Sequence, residues 1–117
     1  MLAILEEDMI ALSILLKMEN ANQKKNAIEI LKYSMNSINL TRQCISTHVY
    51  TDIDHKNTIS YYEFWDNEDS LNRRIKSVQF KDILNVVDTS SLKPEILISN
   101  VTNTEGIEFI QSLRKKL

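Results

Sequence analysis

The segment Tyr61-Tyr62-Glu63-Phe64-Trp65 sets a phenol, a carboxylate and the chain's one indole at alternate positions. In an extended strand residues two apart share a face, so Tyr61, Glu63 and Trp65 fall together with Ile59. Trp65 could then form the wall of a pocket. Further on, Arg74 lies roughly 60° from Leu71 on a helical wheel, at the border of an apolar stripe of Leu71, Ile75 and Val78. From there it could pair with Glu63, hold an anionic, phenolate-like ligand, or remain a solvated boundary residue, whereas Arg73 points to solvent. His48 alternates onto one face with Cys44, Ser46 and Tyr50 and is the candidate general base. The plain alternative is that Trp65 is core and Glu63 a satisfied carboxylate.

Other chemistry is excluded by residue type. His48 and His55 have no i,i+4 or Cys-paired spacing, so no metal site is expected. Cys44 is the single cysteine; it cannot close an internal disulfide and reads as a small buried hydrophobe. One glycine, Gly106, rules out a glycine-rich phosphate loop.

The elements that must position these residues alternate in period. Met9–Met18 has apolar residues at every second position and reads as a strand. Asn20 with Gln23 resembles a capping box, and Ile28, Leu31, Met35 and Ile38 recur at helical spacing over residues 21–38. Cys44–Asp52 and Thr58–Trp65 are β-rich runs joined by the polar turn Asp52–Asn57, a hairpin. Asp66, with Asp69 three residues on, offers an N-cap for a helix through Leu71, Ile75 and Val78. Phe80, Ile83, Leu84 and Val87 continue its pattern after a break near Ser77. Glu95–Val101 is a fourth strand, and a Thr102–Glu105 capping box introduces a terminal amphipathic helix with Ile107, Ile110 and Leu113. The order β-α-β-β-α-β is the split βαβ, ferredoxin-like pattern of an α+β protein, with an extra C-terminal helix. Apolar residues on both faces of the strands, Leu15 among them, call for a partner sheet, and a face-to-face homodimer supplies one.

A length of 117 residues suits one domain, with 43% hydrophobic and 26% charged residues, the balance of a folded globular chain. A formal net charge of −2 disfavours a nucleic-acid partner. The N-terminus has no basic region before its short apolar run, and no apolar stretch approaches the ~18 residues of a membrane span, so a cytoplasmic location without membrane contact is expected.

Between Glu29 and Leu84 the sequence resembles the antibiotic biosynthesis monooxygenase (ABM) family of dimeric α+β barrels. The resemblance rests on Cys44, the Glu63-x-Trp65 pair, Leu71, Ser77 and Phe80. It departs where Arg74 and Gln79 stand in place of common histidines, and where Gln43 replaces the glycine before the cysteine. The resemblance implies an ABM-like domain over residues 9–103, a helix over 104–117 and an extension over 1–8. It implies a pocket between sheet and helices for a small hydrophobic or aromatic molecule, walled by Trp65 and Tyr61, with Arg74 and Glu63 orienting and polarising it. The implied activity is cofactor-independent monooxygenation of a quinol-like compound, in which a base removes a phenolic proton and the substrate anion reacts with oxygen. Two other expectations stand beside it: a non-catalytic ligand-binding or structural dimer, and a haem-degrading relative, for which Arg74 cannot supply the iron ligand.

Overall fold

The computed structural model describes residues 8–38 and 41–115. The expected N-terminal extension and the last two residues lie outside these, apart from Asp8. The elements are β1 (Met9–Lys17), α1 (Ala21–Ile38), β2 (Cys44–Thr51), β3 (Thr58–Trp65), α2 (Glu68–Lys76), α3 (Phe80–Asp88), β4 (Glu95–Val101) and α4 (Ile107–Lys115). The strands form one antiparallel sheet in the order β2-β3-β1-β4. This is the ferredoxin-like α+β arrangement expected from the element order.

The alternation of β1 and β3 decides which face is covered. Ile10, Leu12, Ile14 and Leu16 are buried, and their β3 partners Trp65, Glu63, Tyr61 and Ile59 lie on the same covered face. Onto them α1 lays Ala27, Leu31, Ser34 and Ile38, a stripe at three- and four-residue spacing. Leu71 from α2 and Phe80, Ile83 and Val86 from α3 complete the layer. The opposite face carries Leu15, Tyr62, Phe64, His48 and Tyr50 and lies away from the layer of α1, α2 and α3. Its rings pack edge-to-face and stacked, with centroids 5.8 to 6.2 Å apart.

Several local expectations change. Asn67, not Asp66, caps α2: its backbone is extended and its side-chain oxygen accepts from Ser70 N–H at 2.9 Å. Asp66 is occupied otherwise, its N–H bonding Gln43 C=O at 3.1 Å and prolonging the β2–β3 ladder. The helical pattern beyond Leu71 is two helices. Ser77 is extended (φ −73°, ψ 156°), and both its N–H and its hydroxyl bond the carbonyl of Arg74. Val78 therefore falls in the break and is exposed rather than part of the stripe. At α1 the Asn20 side chain accepts from Gln23 N–H at 2.8 Å, and Gln23 reaches back to Glu19 N–H at 3.1 Å. The α4 helix starts at Ile107, beyond the expected Thr102–Glu105 box. It buries no residue within the chain, leaving Ile107, Phe109, Ile110 and Leu113 exposed. In the β2–β3 hairpin, Asn57 takes a positive φ of 67°, a conformation asparagine tolerates better than most residues.

Because the Asn67 cap satisfies an N–H that α2 cannot satisfy itself, Asn67→Ala is expected to cost about 1 kcal/mol of stability in urea unfolding.

Candidate functional site

Glu63 has no exposed surface, and four donors converge on it. Tyr61 O–H donates to Oε2 at 2.6 Å and Trp65 Nε1–H to Oε1 at 3.0 Å, both from its own strand. Arg74 reaches down from α2 to donate Nη2–H to Oε2 at 3.1 Å and Nε–H to both oxygens at 3.3 Å. Arg74 Nη2 also donates to Ser34 Oγ on α1 at 2.8 Å, and its guanidinium lies 5.1 Å from the centre of the Phe80 ring. Strand, both crossover helices and α3 thus meet at one ion pair. A buried carboxylate is costly unless paired and fully hydrogen-bonded, and Glu63 has both.

This geometry redistributes the expected roles. Arg74 is buried rather than a solvated boundary residue, because the Glu63 charge draws it in. Tyr61 is fully buried, so it donates to Glu63 rather than walling a pocket. Burial, the Glu63 charge and the hydrogen bond to it together hold the Tyr61 phenol far above its ordinary pKa. Ser34 is a member the sequence reading missed; its signal is a hydroxyl set within the apolar stripe Ala27, Leu31, Ile38.

His48 is not brought to this group. The pairing of β2 with β3 shifts between Cys44 and Ser46, so Cys44 opposes Trp65 while Ser46 opposes Phe64 and His48 opposes Tyr62. This bulge breaks the alternation: Cys44 faces the core, and Ser46, His48 and Tyr50 face the uncovered side. There His48 Nε2 lies 3.1 Å from Ser46 Oγ and stacks on Tyr50. The expected shared face of Cys44 and His48 is corrected on that ground, and with it the placing of His48 beside Glu63. Burial, followed by the Glu63 charge, pushes the Cys44 thiol up to about 11.

Above the ion pair a cleft of about 320 Å³ opens between two walls. One is the C-terminal end of α1 and the segment before β2, with Ser37, Ile38, Thr41 and Gln43. The other is α2 and the break after it, with Ser70, Arg73, Arg74, Ser77 and Gln79. Trp65 borders it as well, but it is a core residue with 4% of its surface exposed, and its indole nitrogen is held on Glu63. Tyr61, Glu63 and His48 do not line it. Among the described residues no cluster of His, Cys, Asp and Glu could hold a metal ion, and no helix is long and apolar enough to cross a membrane.

Among solved structures, the fold of this chain is that of ABM proteins. It is similar to a putative antibiotic biosynthesis monooxygenase from Nitrosomonas europaea: TM-score 0.71, 9% identity, covering 84% of this chain and 94% of that one. It is similar to SnoaB, a cofactor-independent oxygenase from Streptomyces nogalater, with TM-score 0.68, 9% identity and coverage of 84% and 96%. A dimeric protein of unknown function and ferredoxin-like fold from Bacteroides fragilis matches with TM-score 0.62, 11% identity and coverage of 80% and 96%. No family model and no curated protein matches the chain. At such identities the likeness is one of fold.

Two outcomes follow from the buried group. Tyr61→Phe removes one donor from a buried carboxylate and should cost about 2 kcal/mol in chemical denaturation. Cys44, with its thiol at about 11 rather than 9.0, should react with iodoacetamide at pH 8 about 100-fold more slowly than a free thiol, the rate climbing with pH to about 11.

Proposed function

We propose that the protein is a homodimeric α+β barrel that binds a small aromatic molecule in the cleft over Trp65 and Arg74. The observation carrying this reading is the makeup of the cleft. It offers hydroxyls, amides and guanidinium groups with Trp65 and Ile38 at its base, but no carboxylate and no imidazole. The buried Glu63 carboxylate already accepts from Tyr61, Trp65 and Arg74, and His48 lies on the other face of the sheet. A bound phenol would find no side chain free to take its proton, which favours binding over turnover.

A second reading is cofactor-independent monooxygenation of a quinol-like compound. Arg74 at the cleft favours it, because a guanidinium stabilises a phenolate whose proton has gone to water. The anion would then react with oxygen, one oxygen atom entering the ring to give a quinone and the other leaving as water. Arg74 would orient the substrate, Glu63 would hold Arg74, and Trp65 would pack on the ring.

The dimer is supported by the uncovered sheet face, where Leu15, Tyr50 and Leu97 are exposed beside Tyr62 and Phe64. Sedimentation at micromolar concentration should give twice the 13.6 kDa chain mass, and Leu15→Glu should yield monomer or unfolded chain. A stable wild-type monomer would refute the dimer.

Ligand binding is tested through Trp65, whose fluorescence is the only indole emission. Aromatic ligands should quench it, and Trp65→Phe should weaken their binding by up to about tenfold. No response to any aromatic compound would sink the binding reading. Oxygen uptake with a quinol panel separates the two readings: consumption that Arg74→Met abolishes supports the oxygenase, and none supports binding alone.

A further inference from the structure

The last helix and the last strand each expose an apolar surface. In α4 the residues Ile107, Phe109, Ile110 and Leu113 fall within an arc of about 160° at 100° per residue. They are 47% to 56% exposed, and α4 buries nothing in its own chain. A nine-residue helix has little stability in isolation, so such a face needs a surface to cover it.

A trough of matching character lies at the edge of the sheet. Ile96 and Ile98 pair with Ile14 and Leu12, which places them on the face that the helices cover. Yet Ile96 is 48% and Ile98 59% exposed, whereas Ile14 and Leu12 are 3% and 2% exposed. The helical layer therefore stops short of β4. On its other side α1 packs over β2 and β3, and α3 turns Asp82 and Asn85 toward Glu29 and Tyr33 of α1. At 100° per residue Leu84, with Asp88 one turn beyond it, comes out on the opposite flank of α3, toward β4. Leu84 is exposed as well. With Leu84 as its wall and Ile96 and Ile98 as its floor, the trough is open to a further helix.

The charges are complementary. Asp88 ends α3, which has no basic residue in its last turn, and Asp88 has no ion pair among the described residues. It sits at the negative end of the helix dipole, where a cation is favoured. Arg114 and Lys115 close α4 and are likewise unpaired among the described residues.

Resting on the homodimer reading above, we infer that α4 of each subunit lies in the trough between α3 and β4 of its partner. Within one chain the helix and the trough stay apart, each exposed; a second copy supplies what both lack, and the reciprocal contact closes as a two-fold. The trough also borders the surface given to the dimer, because Leu97 of β4 lies on the uncovered sheet face. Residues 102–106 carry no regular structure and let α4 begin up to about 20 Å from Val101. That is about one sheet-to-sheet spacing plus one helix diameter.

The test is disulfide trapping in the full chain. Ile98→Cys and Ile110→Cys are made in separate chains, one carrying a mass tag, then refolded together and oxidised. A covalent pair with one chain of each kind is expected, beyond what either variant or the wild type with Cys44 forms alone. With both substitutions in one chain a covalent dimer is expected, and a monomer closed by an internal disulfide overturns the exchange. No crosslink in the mixture overturns it too. Ile110→Glu, at a site exposed in the single subunit, should raise the dimer dissociation constant by at least about tenfold with the far-ultraviolet circular dichroism unchanged. An unchanged constant counts against the exchange. Sedimentation separates the two readings: a wild-type monomer at micromolar concentration removes the homodimer itself, whereas a dimer without the crosslink removes only the place given to α4.

Discussion

Glu63 carries its carboxylate in a layer of aliphatic and aromatic side chains without contact to water, and Arg74 is drawn through that layer to meet it. Leaving either charge alone there would cost several kcal/mol, so the position of α2 over the sheet is tied to that of β3. The same guanidinium binds Ser34 and lies over Phe80, which brings α1 and α3 into the constraint. Tyr61 and Trp65 take up the remaining acceptor capacity of the carboxylate from within its own strand. Hydrophobic burial holds the layer together; the ion pair sets how its parts are registered.

That constraint also divides structure from function within a few ångströms. A carboxylate with no exposed surface, enclosed by Tyr61, Trp65 and Arg74, is out of reach of a ligand in the cleft. What remains open to a ligand lies one layer out, in the cleft lined by Ser37, Thr41, Gln43, Arg73, Ser77 and Gln79. Trp65 belongs to the buried layer, with its nitrogen on Glu63, and borders the cleft with only a small part of its surface.

Much of the fold was legible because its signals are local. Alternation in β1 and β3, the capped stripe of α1 and the polar hairpin at Asp52–Asn57 each carry their own periodicity, and the element order then leaves few arrangements. That Tyr61, Glu63 and Trp65 share a face was equally plain. The face of His48 was not, since the bulge after Cys44 shifts the alternation by one residue and nothing in the residue types marks it. The burial of Arg74 was half legible: the helical wheel put it at a border, and only the carboxylate across the interface decides which way it turns. The cleft was the least visible part, for it joins residues at the end of α1 to residues after β3 that no spacing relates. The resemblance to ABM proteins pointed to a space between sheet and helices, and Arg74 in place of a usual histidine was visible in the sequence.

The account depends on Glu63 and Arg74 acting as one unit, and a double-mutant cycle measures that directly. Glu63→Leu and Arg74→Leu, each made alone, should cost about 3–5 kcal/mol in equilibrium unfolding, because each strands a buried charge. Made together they should cost less than either single change, since no charge is left to strand. Single costs that simply add in the double variant would contradict the pair as the constraint that orders the fold.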